Sequence, residues 1–208
     1  MKPPTYRIDL DASLPPDEKA DLFLFFEEQF ARIDGEHPAN QSLTKEELQT
    51  LLQSSACFTI TCRRDERDLV GAMVITTDLG DVAWANTEFF AKTYSLGPEP
   101  IPMFFVASLA VDPDAPRQVL NGLIDRLTDI VADASGVAVA DLRDEECEYS
   151  LARHIATRVA MRYQSDWRAL GSQTYHAFRP GRPIEPVPWA SARRRLTDDP
   201  IGPPAMKG

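Results

Sequence analysis

A chain of 208 residues, 43% of them hydrophobic, is long enough for one domain with a sizeable core. Its 22 Lys and Arg stand against 32 Asp and Glu, a formal net charge of −10, which argues against a general nucleic-acid binder because that needs a basic face for the phosphates. No apolar run approaches the roughly 18 residues of a membrane helix, the opening MKPPTYRIDLD lacks the apolar stretch of a signal peptide, and three scattered cysteines (Cys57, Cys62, Cys147) make no disulfide framework, so a reduced, cytoplasmic setting is expected.

Tyr6–Leu10 reads as a first short strand. Pro15 and Pro16 precede a helix over Asp17–Ile33, where Leu22, Phe23, Phe26, Phe30 and Ile33 recur at three- and four-residue spacing. Ser42 or Thr44 can cap a second helix reaching about Gln53, and Thr44 with Glu47 forms a capping box. Cys57–Arg63 and Leu69–Thr76 are β-branched or apolar runs separated by the charged turn Arg64–Arg67, a hairpin pattern. Asp78–Gly80 is a further turn. Val82–Thr93 fits a strand, a helix or an insertion lining a cleft.

Met103–Val111 (MFFVASLAV) is continuously apolar, as in a strand buried on both faces. Asp112, Pro113 and Pro116 end it. Gln118–Ala134 carries Val119, Leu120, Leu123, Ile124, Leu127, Ile130 and Val131 on one side, with Gly136 as its expected C-cap. Val137–Leu142 is the next strand, and strand, helix, strand makes a βαβ unit with a parallel pair. A helix over Glu145–Arg158 and one final strand, Arg168–Phe178, complete the body. The expected fold class is mixed α/β: a mostly antiparallel sheet with one parallel βαβ crossover over residues 1–178, then an extended C-terminal arm over 179–208.

The arm is set apart by composition. Arg179–Gly208 holds six basic and three acidic residues, so it carries +3 and leaves −13 on the body. It also holds seven of the 17 prolines, which argues against regular helix or central strand there. A short helical turn at Trp189–Leu196 fits within it. The arm is a candidate contact to a partner subunit through Trp189, giving a homodimer, or simply a terminus draped on the surface.

The order of elements, with Val111-Asp112-Pro113 closing the long strand, resembles the GNAT superfamily of acyl-CoA-dependent N-acyltransferases. The resemblance covers roughly Tyr6 to Phe178 and rests on element order more than on a complete motif. It implies acetyl-CoA or another acyl-CoA as co-substrate and no metal. In such proteins the strand splays at its end and its backbone (here Leu109 and Val111) pairs with the pantetheine arm. The following helix N-terminus (here Arg117, Gln118, Val119, Asn121 and Gly122) receives the pyrophosphate, where free N–H groups and a positive dipole end favour an anion.

The chain departs from that pattern in two places. With Val111–Pro113 aligned, Val119 and Asn121 stand where the family's loop has glycine, and Gly122 falls one residue off. The family's leaving-group acid, a Tyr on the later helix, falls at Ala156 or a neighbour, flanked by Tyr149 and Tyr163.

N-acylation needs a base for the amine and a group that stabilises the thiolate. The candidates are Glu88, in the ambiguous segment, Ser108, on the long strand, and Tyr149, on the helix over the cleft. Each also has a plain reading: a solvated carboxylate, a small core residue and a helix-surface phenol. Asp112 suits a strand-end cap, and Tyr175 and His176 face opposite ways on the last strand. Three histidines without ligand spacing make a zinc site improbable. Arg153, Arg158, Arg162 and Arg168 follow the acids of Asp141–Glu148 and are expected to pair with them. The expected function is therefore acyl-CoA-dependent N-acylation of a small-molecule or peptide amine, a cationic acceptor suiting the acidic body. The alternative is a non-catalytic GNAT-like binding module, and another acyl-CoA reaction on the same fold is a third course. Neither nucleic acid nor membrane is an expected partner.

Overall fold

The computed structural model describes residues 4–34, 44–82, 85–94, 101–141, 151–169 and 175–183. They form strands β1 (Tyr6–Asp11), β2 (Cys57–Arg64), β3 (Asp68–Thr76), β4 (Met103–Val111), β5 (Val137–Asp141), β6 (Tyr163–Ala169) and β7 (Tyr175–Pro183), with helices α1 (Pro16–Asp34), α2 (Lys45–Leu51), α3 (Thr87–Tyr94), α4 (Gln118–Asp133) and α5 (Leu151–Ala160). The strands make one sheet in the order β1-β2-β3-β4-β5-β7-β6. Only β4 and β5 run parallel, joined through α4, and every other pair is antiparallel. The mixed α/β class with one parallel crossover is the architecture that the element order predicts.

Two apolar clusters sandwich the sheet. One side holds α4 and α5: Val119, Leu123, Ile124, Leu127, Val131, Ala152, Ile155 and Val159 pack on Ile60, Met73, Ile75 and Phe104. The other side holds α1, α2 and α3: Leu22, Phe25, Phe26, Leu48, Leu51 and Phe90 pack on Ala72, Val74, Phe105 and Ala110. Both faces of β3 and β4 are thus covered, which is why their sequences read as unbroken apolar runs.

Local signals explain most boundaries. The Thr44–Glu47 capping box closes reciprocally at the start of α2. In the β2–β3 turn Asp65 and Glu66 both adopt positive φ, as a twist-matched hairpin turn requires. The ambiguous Val82–Thr93 segment forms helix α3, begun by Asn86, whose side chain accepts from the Phe89 N–H at 3.0 Å. Helix α4 ends differently from expectation. Ser135, not Gly136, takes the left-handed conformation, and the Gly136 N–H returns to the Val131 carbonyl at 2.8 Å. Gly136 is needed for space: a Cβ there would lie 2.7 Å from both the Pro102 carbonyl oxygen and the Phe104 ring.

The end of the sheet corrects the sequence reading. Two strands stand where one was expected, because β6 (YQSDWRA) is a polar edge strand without an apolar run. Strand β7 also extends through Arg179–Pro183, the first residues assigned to the arm. Pro180 is tolerated because β5 pairs with β7 only as far as Phe178, so the proline has β6 alone beside it. Residues 184–208, including the Trp189–Leu196 turn, lie outside the described residues. No helix among the described residues is long and apolar enough to cross a membrane.

Candidate active site

Among the described residues, the pairing of β5 with β4 ends at the middle of β4. Met103–Val106 pair with Val137–Ala140 of β5. Beyond Val106, among the described residues, no strand pairs with β4 on that side, while β3 stays paired on the other as far as Val111. Five residues, Ala107–Val111, therefore present about 16 Å of one-sided edge at ordinary strand rise. Alternate N–H and C=O groups of such an edge point into the gap.

A bulge marks the point of parting. Val74 lies opposite Ser108 and Ile75 opposite Val106, so Ala107 is the extra residue. Residues paired across a sheet share a face, which puts Ser108 on the side of Val74, the α1–α3 side. Ser108 is only 7% exposed, and its Oγ is buried without a hydrogen-bond partner. Leu109 and Val111 pack toward the α4 side, so only their backbone is placed for the open edge.

After the strand the chain folds into the start of α4. Asp112 closes a local turn: its carboxylate accepts from the Asp114 N–H and its carbonyl from the Ala115 N–H, both at 2.9 Å. No side chain caps the helix at Arg117, and Arg117 and Gln118 are exposed there. The Val119 N–H is spent on the Pro116 carbonyl at 2.9 Å, and its side chain is buried in the core. The Asn121 Oδ1 lies 2.8 Å from His154 Nε2 on α5. Gly122 faces β1, where a Cβ would fall 2.2 Å from the Ile8 Cδ1, so this glycine serves close packing of helix on sheet.

Burial pushes the His154 imidazole below its ordinary pKa, and the charges of Arg117 and Arg158 push the same way. Farther along, α4 and α5 are laced together. Arg158 grips Asp125 through two nitrogens, with Nε–Oδ1 at 2.7 Å. Arg162 reaches Asp129 at 2.7 Å, and the Tyr163 hydroxyl donates to the same carboxylate at 2.9 Å. These two arginines thus pair with α4, while the acids of 142–148, the partners the sequence suggested, lie outside the described residues.

The remaining predicted residues are dispersed. Glu88 sits on the outer side of α3, paired with Lys92 at 2.7 Å, both side chains being at least 75% exposed. Tyr149 and Cys147 lie outside the described residues, as do the side chains of Tyr175 and His176. Cys57 and Cys62 are buried free thiols, and burial pushes that of Cys57 up to about 11. Among the described residues no three His, Cys, Asp or Glu gather as a metal site. An open recess of about 390 Å³, lined by Asp9, Asp11, Glu18, Asp21, Arg7 and Arg63, lies on edge strand β1, with β2 and β3 between it and β4. Sequence reasoning missed the bulge and the Asn121–His154 bridge. The small residues Ala107, Ser108 and Ala110 inside an otherwise bulky strand were the one available hint of the bulge.

The overall fold is similar to that of FeeM, an N-acyl amino acid synthase from uncultured soil microbes, at a TM-score of 0.53 and 11% identity, over 84% of this chain and 89% of that one. The chain has the GNAT fold. Aminoglycoside 6'-N-acetyltransferase AAC(6')-Ih from Acinetobacter baumannii is more distant, at a TM-score of 0.46, 13% identity, and 73% and 89% coverage. No protein-family model matches the sequence, and no curated protein matches it. The stretch of β4 beyond its described pairing with β5 ends at Val111, and the uncapped start of α4 follows at Arg117.

Proposed function

We propose that the protein is an acyl-CoA-dependent N-acyltransferase acting on a small-molecule or peptide amine. The observation that supports this reading is that, among the described residues, β4 has β5 beside it only as far as Val106, although β5 itself runs on to Asp141. An edge of unpaired backbone buried within a sheet is costly unless a ligand completes it. An extended chain of amides, such as a pantetheine arm, completes it as a strand would. The edge leads at its Val111 end to the amino end of α4, where Arg117 and the positive end of the helix dipole suit a diphosphate, although the Val119 N–H is already bonded to the Pro116 carbonyl. Acyl-CoA supplies the activated thioester; the protein's residues bind and orient it.

The loop fits less fully than the strand. Val119 and Asn121 are committed to the core and to His154, and Gly122 to Ile8. That favours a phosphate contact built on Arg117 and Gln118 rather than on a glycine-lined cradle. It is also the one observation that supports a non-catalytic binding module instead.

Calorimetry of the full chain with acetyl-CoA and longer acyl-CoAs tests the reading. A saturable heat is expected, with Arg117→Ala weakening binding about tenfold, the loss of one charge-assisted contact. Absence of heat and of any thermal shift with every acyl-CoA overturns it.

A further inference from the structure

Ser108 is the one described side chain whose buried polar atom has no partner. A hydroxyl in that condition has lost its water without recovering a hydrogen bond, an uncommon state in a folded protein. Its place in the fold is specific. It follows the bulge residue Ala107, just past the last β5 pairing at Val106. Its neighbours on the same face, Ala107 and Ala110, are small, so nothing bulky of β4 fills the space beside it.

Resting on the acyl-CoA reading above, the geometry fixes which end of the arm would meet this hydroxyl. The diphosphate sits at the amino end of α4, beside Val111. The arm then runs back along the open edge toward Ala107 and stops where β5 closes on Val106. The thioester is at the leading end, so it comes to rest at Ala107–Ser108. We propose that the Ser108 hydroxyl is the group that hydrogen-bonds the thioester sulfur and hands it a proton as it departs.

The step balances without a further reagent. The amine nitrogen attacks the carbonyl carbon and forms the C–N bond. The C–S bond breaks, and the sulfur takes the Ser108 proton. Ser108 takes in exchange the surplus proton of the newly acylated nitrogen. The net result is one proton moved from nitrogen to sulfur, with the serine unchanged. Such a relay does not call on Glu88, which points to solvent, nor on a Tyr at the Ala156 position.

The test needs no knowledge of the acceptor. Free CoA, the product thiol, is bound to the wild-type protein and to Ser108→Ala, and its thiol is titrated by the ultraviolet absorbance of the thiolate. The hydroxyl stabilises the thiolate, so the bound thiol is expected to be about tenfold less acidic, one pKa unit higher, in the variant. The melting temperature is expected to stay the same or rise, since the variant removes an unpaired polar group. An equal thiol pKa in both proteins overturns the proposal and leaves the acyl-CoA reading standing. A lowered melting temperature assigns Ser108 to the core and likewise overturns it. Wild-type protein that binds no CoA overturns both.

Discussion

The two faces of the sheet are finished to different degrees. On the α4–α5 side the half-buried polar groups find one another: Asp125 with Arg158, Asp129 with Arg162 and Tyr163, Asn121 with His154, and the Thr128 hydroxyl with the Ile124 carbonyl. On the α1–α3 side the packing is aromatic, with Phe25, Phe26, Phe30, Phe90 and Phe105 in contact pairs, and one buried hydroxyl is left over. The first face behaves as a scaffold whose interactions close internally. The second keeps a buried, unpaired hydroxyl at the bulge of β4. A protein that must admit a substrate beside a central strand is expected to divide its surfaces this way, one side fixing the strand and the other leaving it accessible.

The comparison breaks most sharply if the scaffold face is emptied. Leu123 is 0% exposed and lies over Gly71, where a Cβ would come within 3.1 Å of its Cδ1 and 2.8 Å of the Val119 Cγ1. Glycine has no side chain with which to fill the space left by a shortened neighbour. Leu123→Ala is therefore expected at the upper part of the range for such changes, about 3–5 kcal/mol, by denaturant titration. A loss near 1 kcal/mol would show that α4 can settle onto β3, and that the scaffold is less rigid than its packing implies.

The ion-pair seam ranks next. Asp125 and Arg158 side chains are 25% and 31% exposed, so solvent screens part of their attraction. Replacing Asp125 by Ala strips Arg158 of a two-pronged partner and Arg162 of a second carboxylate 3.6 Å away. A loss of about 1–2 kcal/mol is expected, below the figure for a fully buried pair. Arg158→Ala should cost a similar amount, and the double variant less than the two together, as a cycle of paired residues requires. Full additivity would show that the two side chains act independently.

How far the sequence discloses these regions follows from the range of the interactions that make them. Strand β4 and helix α4 are legible because each carries its own pattern: an unbroken apolar run buried on both faces, and a helical stripe. The capping box at Thr44 and Glu47 is legible for the same reason, being made by residues three apart. Strand β6 is harder to read, since YQSDWRA alternates Tyr, Ser, Trp and Ala with Gln, Asp and Arg, but Ser165 weakens the inward set and there is no apolar run. Pro180 misleads, because its acceptability depends on where β5 begins to pair, 42 residues earlier in the chain at Ala138. The candidate site is harder still. Ser108 was visible as a small residue in the right strand, but its orphaned hydroxyl depends on a bulge against β3. The Asn121–His154 bridge joins residues 33 apart on two helices, and no spacing rule reaches across that gap.

That bridge supplies the smallest expected effect, and it tests whether the scaffold face is closed at its upper end as well. His154 is held neutral by burial first and by the nearby Arg117 and Arg158 charges second. Its folded pKa lies below its unfolded value of about 6.5. Between those two values the unfolded chain binds more protons than the folded one, so stability falls as the pH drops through that window. Above it the histidine is neutral in both states and contributes no slope. His154→Gln removes the titration while keeping a side chain that can meet Asn121. Denaturant midpoints measured from pH 8 down to pH 5 should therefore fall less steeply in the variant than in the wild type. Parallel curves would mean that His154 is protonated as readily in the fold as outside it. The contact between Asn121 and α5 would then admit water, and this end of the scaffold would not be closed.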